Sequence, residues 1–120
     1  MIHISDKCRC LLYSGEVDMR KSFQGLAKIV RHDMKCNVLN GDIYVFIGKR
    51  RNRIKLLRFE GDGYAIFYKR LEKGTFEMPA YDSENHTMGV SDSELTFILK
   101  GVALKKVKYR VRYTHPGASC

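Results

Sequence analysis

The sequence predicts an α+β fold: a small antiparallel sheet packed with an N-terminal amphipathic helix and a short helix in the C-terminal half. Three observations carry that prediction. An apolar stripe recurs at three- and four-residue spacing over residues 17–34, three short apolar or aromatic runs alternate with turn signals over 43–68, and a capping signature precedes an apolar run at 91–99. At 120 residues the chain suits one domain with a single core, so residues 1–120 are expected to form one domain. Its 44% hydrophobic and 29% charged content is that of a globular protein.

In the first element, VDMRKSFQGLAKIVRHDM, Met19, Phe23, Leu26, Ala27, Val30 and Met34 form the stripe, while Arg20, Lys21, Lys28 and Arg31 fall largely off it. Residues 17–34 therefore read as a helix with one buried face, and Asp18 is placed to cap its free N–H groups. After the turn Asn40-Gly41-Asp42, the run Ile43–Ile47 is β-branched and aromatic, as in a buried strand. Ile54–Glu60 and Tyr64–Tyr68 follow as two more strands, with Gly61-Asp62-Gly63 as the tight turn between them. These three strands make an antiparallel meander. Residues 79–90, PAYDSENHTMGV, read as a polar loop.

Ser91 and Glu94 have the spacing of a capping box, in which each side chain satisfies the other's backbone N–H. Leu95, Ile98 and Leu99 then form the buried face of a short helix that Gly101 stops. The last segment, KKVKYRVRYTH, alternates Val107, Tyr109, Val111 and Tyr113 with Lys106, Lys108, Arg110 and Arg112. Residues 105–120 thus read as a basic edge strand, or as an arm that orders on a phosphate backbone.

The formal charge is +9, and two segments hold the whole excess. Lys49–Lys73 carries nine basic residues against three acidic ones, and Lys105, Lys106, Lys108, Arg110 and Arg112 supply the rest. Localised cations of this kind suit a polyanionic partner, because Lys and Arg neutralise phosphates and release condensed counterions; a merely solubilising surface is the alternative. In the meander, Lys49–Arg53 occupies the tip of the first hairpin, and Lys69–Lys73 ends the third strand at the same end of the sheet. Arg50, Arg51, Arg53, Lys55, Lys69, Arg70 and Lys73 are accordingly the expected nucleic-acid contacts, joined by Lys106, Lys108, Arg110 and Arg112. Phe59, Tyr64, Phe67 and Tyr68 lie among these cations and fit a base-stacking role, although aromatic residues alternating on a small sheet more often build core.

Chemistry beyond binding finds little support. No G-x-x-x-x-G-K-[ST] loop occurs, and the four cysteines and four histidines contain no C-x-x-C or H-x-x-x-H pair, so no cofactor or metal is expected and the cysteines read as reduced thiols without an assigned role. Glu60 and Asp62 come nearest to a carboxylate pair for a metal-dependent nuclease, but a strand end and a turn account for both. No run of about eighteen apolar residues could span a membrane as a helix, and the N-terminus lacks the apolar core of a secretory signal, which reads as a cytoplasmic protein.

Several strings are familiar: Asp18-Met-Arg-Lys21, Phe23, Gly25-Leu-Ala27, Tyr44-Val-Phe46, Arg50-Arg51-x-Arg53-Ile-Lys55-x-Leu57, Gly61-Asp-Gly63 and Tyr68-Lys-Arg-Leu-Glu-Lys-Gly-x-Phe76. Over residues 10–79 the chain resembles the TnpB accessory proteins, products of the second open reading frame (Orf2) of one class of bacterial insertion sequences, the IS66 type. Ser22 stands where that family usually has glycine, and Phe59 and Phe67 replace frequent tryptophan or tyrosine. The resemblance implies a role in transposition beside a separate transposase that carries the catalytic acids. The expected partners are therefore DNA and the element-encoded transposase. A subunit that docks on an acidic surface of the transposase without touching DNA is the alternative.

Overall fold

Residues 8–79 and 86–100 are described by the computed structural model. Their centre is a five-stranded mixed sheet of order β4-β3-β2-β1-β5, formed by β1 (Cys10–Tyr13), β2 (Ile43–Ile47), β3 (Arg53–Phe59), β4 (Tyr64–Arg70) and β5 (Thr87–Val90). The expected meander is present: β2 pairs antiparallel with β3, and β3 with β4. Its second turn is closed by the Glu60 N–H donating to the Gly63 carbonyl at 2.8 Å, with Gly61 at φ +97°, a backbone angle that only glycine adopts without strain.

Two strands are additions to the sequence reading. β1 pairs parallel with β2, and β5 pairs antiparallel with β1, so the end of the stretch read as a loop is an edge strand. With four residues each, both are too short to display a period of their own. Arg9 and Asp42 fix the parallel register. The Arg9 main-chain N–H donates to Asp42 Oδ1 at 3.1 Å, its Nε donates to Oδ2 at 2.9 Å, and Nη2 reaches Oδ2 at 2.7 Å. This ion pair, formed where both strands begin, sets Cys10 opposite Ile43 and Tyr13 opposite Phe46.

Alternation along the strands sorts the core onto two faces. Leu11, Tyr13, Tyr44, Phe46 and Leu57 point to one, Cys10, Leu12, Ile43, Val45 and Leu56 to the other. All five residues of β2 are buried because both faces are covered. On the first face lie α1 (Phe23–Lys28) and the π-helical turn Ile29–Asp33 that continues it, packing Leu26, Ala27, Ile29 and Val30 against the sheet. On the second lie α2 (Asp92–Lys100), through Leu95 and Ile98, and the ring of Phe76.

The first helix departs from the expectation of a single span over 17–34. It starts at Phe23, and Asp18 does not cap it. Asp18 instead accepts from the Arg20 backbone N–H at 2.9 Å and from the Arg20 guanidinium, which closes a local turn ahead of the helix. Phe23, placed on the buried stripe by its spacing, is 42% exposed. The capping box is as expected: the Ser91 N–H donates to Glu94 Oε1 at 2.8 Å and the Glu94 N–H donates to Ser91 Oγ at 2.9 Å. The cysteines separate, since Cys10 is a thiol pushed up to about 12 by burial whereas Cys36 is disulfide-bonded, not reduced. Gly101, the expected helix stop, and the alternating segment 105–120 lie outside the described residues. No helix among the described residues is long and apolar enough to cross a membrane.

Two substitutions test these contacts by urea denaturation. Ser91→Ala is expected to cost about 1 kcal/mol through loss of the cap. Asp42→Ala, which leaves Arg9 and the start of the parallel pair without their charge-assisted hydrogen bonds, is expected to cost about 2 kcal/mol.

Candidate nucleic-acid interface

The first hairpin tip is built by two main-chain hydrogen bonds. The Gly48 N–H donates to the Arg53 carbonyl at 3.0 Å and the Arg51 N–H to the Gly48 carbonyl at 2.8 Å, so the chain reverses over Lys49-Arg50-Arg51-Asn52 with Arg51 at φ +62°. A positive φ at a non-glycine residue carries strain, and here two further bonds hold the loop. The Leu71 N–H donates to the Asn52 carbonyl at 2.8 Å and the Phe76 N–H to the Arg51 carbonyl at 2.6 Å. The tip is therefore braced by the chain leaving β4, and the two basic clusters of the sequence meet at one end of the sheet.

Between this tip and the segment leaving β1 lies a cleft of about 250 Å³, lined by Val17, Asp18 and Met19 on one side and Gly48, Lys49, Arg50, Asn52 and Arg53 on the other. Gly48 permits the approach of the two walls, since a Cβ there would stand 2.6 Å from Met19 Cγ. Lys49 and Arg50 are exposed. Arg53 sits directly opposite Arg70 in the β3–β4 ladder, and like charges so placed repel. Arg70 reaches Glu72 at 3.4 Å, an exposed and weak pair, whereas Arg53 has no acidic partner among the described residues. Asp18 is the one carboxylate lining the cleft among the described residues. Hydrogen bonds from Arg20 lower it to about 2, so it stays ionised and engaged with Arg20.

The cations expected as contacts divide by environment. Arg50 and Arg51 are exposed at the tip, Arg53 is half-buried at the cleft, Arg70 is exposed opposite Arg53, and Lys73 is exposed in the segment leaving β4. Lys55 is not a surface contact: it is 8% exposed, its Nζ donates to the Lys21 carbonyl at 2.8 Å, and it lies 4.8 Å from the centroid of the Tyr68 ring. Burial lowers its pKa, with Asp18 opposing. Lys69 faces the other side of the sheet and donates to the Leu99 carbonyl at 2.9 Å, where a cation satisfies the C-terminal end of α2. Lys106, Lys108, Arg110 and Arg112 lie outside the described residues.

Sequence reasoning missed the far wall of the cleft. Val17 and Met19 read as the start of a helix over 17–34, and nothing local shows that the chain instead forms a turn at Asp18–Lys21 and faces the hairpin. The aromatic residues divide as the strand period requires. Phe67 packs into the α2-side core, while Phe59, Tyr64 and Tyr68 face the α1 side.

Fold and site together define a small basic α+β domain whose cations gather where β3 leaves its hairpin and β4 ends. The chain belongs to the IS66 Orf2-like family, the TnpB accessory proteins of insertion sequences, whose sequence pattern matches residues 8–109. Two uncharacterized proteins of Sinorhizobium fredii (strain NBRC 101917 / NGR234) are similar. One, y4hO, is 31% identical over 102 residues, spanning 85% of this chain and 87% of the relative. The other, y4jC, is 29% identical over 108 residues, spanning 90% and 91%. No solved structure matches the chain.

The buried amine of Lys55 has a pH signature. Its folded pKa lies below the unfolded value near 10.5, so the unfolded state binds more protons between the two, and stability rises with pH across that window. Denaturation of wild type and Lys55→Met from pH 7 to 10.5 is expected to show the wild type gaining on the variant as pH rises. A difference that stays constant would mean that the amine is solvated.

Proposed function

We propose that this protein is a non-catalytic accessory subunit of insertion-sequence transposition that binds nucleic-acid phosphates, at element ends or within a transposase–DNA complex, through the cleft at its hairpin tip. The observation that carries this reading is the concentration of uncompensated charge. Arg53 stands opposite Arg70 without an acidic partner among the described residues, and it lines one cleft with Lys49 and Arg50. Phosphate oxygens between these cations would relieve their repulsion and accept their N–H groups. Membership of an accessory family supports the transposition setting.

A non-catalytic role is supported by the carboxylates. Glu60 and Asp62 are exposed at the second hairpin turn, and no group of three His, Cys, Asp or Glu able to hold a metal ion occurs among the described residues. Phosphate contacts position a protein on nucleic acid without reading its sequence, so recognition of particular ends falls to the transposase. The C-terminal cations Lys106, Lys108, Arg110 and Arg112 add to the affinity in this reading.

The test is the salt dependence of duplex DNA binding. Arg50, Arg51 and Arg53 changed together to Gln are expected to lower the log–log salt slope by about 0.9 for each lost contact, about 2.7 in all. Lys55→Met should leave the slope unchanged. A triple variant with the wild-type slope that is no longer captured by co-expressed transposase would assign the tip to a protein partner and overturn the proposal.

A further inference from the structure

The α1-side face of β4 carries a second feature next to the cleft. Tyr64, Ile66, Tyr68 and Arg70 alternate along it, and β4 is the last strand of the sheet order. Tyr68 is 47% exposed although Lys55 occupies one side of its ring, so the remaining aromatic surface is open to solvent. Some four residues along the strand, about 13 Å at the usual rise, lies a cluster of three rings. There Tyr64 packs against Phe59 with centroids 5.2 Å apart, and Phe23 leans on Tyr64 at 6.5 Å with planes inclined by 30°. Phe23 is 42% exposed. Two exposed rings on one face are thus followed, at the Arg70 end, by the cations of the cleft.

Core packing accounts for much of Tyr64, but not for the exposed rings of Tyr68 on β4 and Phe23 on α1, set on the face where Arg70 stands opposite Arg53, which has no acidic partner among the described residues. A protein surface with an acidic rim would match the charge. Flat rings set in a row beside phosphate-binding groups match a single nucleic-acid strand more closely, because its unpaired bases expose π-faces while its backbone carries the charge. Duplex DNA keeps those faces inside its stack and gains nothing from the rings.

We infer that this face binds single-stranded nucleic acid, with a base stacked on Tyr68, a second on Phe23, and the backbone led past Arg70 into the cleft lined by Arg53 and Arg50. The inference rests on the proposed phosphate-binding role and specifies its ligand as an unpaired strand. Lys55 supports it indirectly: the cation behind the Tyr68 ring holds the ring in place, so the platform is set before the base arrives.

The experiment compares a strand of about twelve thymidines, within the four to sixteen nucleotides usual for such sites, with a duplex of equal length, by fluorescence anisotropy of labelled DNA. Wild-type protein is expected to bind the single strand more tightly. Tyr68→Leu, which keeps an apolar cover over Lys55 but removes the ring, should weaken single-strand binding about five- to hundredfold, leave duplex binding unchanged, and leave the salt slope unchanged because no phosphate contact is lost. Tyr68→Phe should restore single-strand affinity, and Phe23→Leu should repeat the loss. Equal effects on both forms of DNA, or no effect of Tyr68→Leu on the single strand, would overturn this inference while leaving the phosphate-binding role standing. Binding of neither form by the wild type would overturn both, and loss of transposase capture in the same variants would then assign the rings to a protein partner.

Discussion

The parallel pairing of β1 with β2 is the constraint on which the site depends. Because the two strands run the same way, the chain leaving Tyr13 emerges at the end of the sheet where β2 leaves Ile47. Residues 17–19 are thereby delivered beside the hairpin tip, and the cleft exists between them. The antiparallel return of β3 and β4 brings Arg70 to the same end, opposite Arg53. An antiparallel β1 would have carried the Val17–Met19 wall to the other end and left the tip open on that side. The ion pair of Arg9 with Asp42 secures this arrangement from the far end of the two strands, as a charge-assisted pair whose carboxylate is buried while the arginine stays partly exposed.

Burial on both faces of β2 then decides the fate of each nearby cation. A strand residue has two directions available, and on β3 and β4 each direction meets a different layer. Lys55, pointing toward the α1 side, is overlaid by the Lys21 carbonyl and by Tyr68, while Lys69, pointing the other way, meets the last turn of α2. Both amines find carbonyl partners, and a buried lysine requires one. Arg53 and Arg70 share the face of Lys55 but lie beyond the covering layer, so their charge is turned outward. One basic segment therefore serves two ends: part of it ties the layers together, and part of it faces the solvent.

The aromatic residues follow the same division. Phe67 is core because α2 lies over its side of β4. Phe23 begins a helix too short to bury it, since α1 starts four residues after Met19 and gives way to a π-helical turn before a long apolar stripe can form. The wider turn advances the chain by five residues between hydrogen-bonded groups, as the Met34 N–H reaching the Ile29 carbonyl shows. That change of pitch breaks the three- and four-residue spacing on which a straight amphipathic helix over 17–34 would depend.

By itself the sequence determined the meander, the capped second helix, the family and the charge concentration, because each is written in neighbouring residues. Gly61-Asp62-Gly63 closes a turn, Ser91 and Glu94 satisfy each other three residues apart, and Lys49–Arg53 is contiguous. The tertiary structure alone decided which cations face solvent and where the cleft lies. Lys55 and Arg53 differ by two positions and share a strand face, so only the layer packed above them separates a buried amine from an outward guanidinium. The pairing of β1 with β2 joins segments more than thirty residues apart through strands of four and five residues, and such short strands carry no periodic signal for where they will pair.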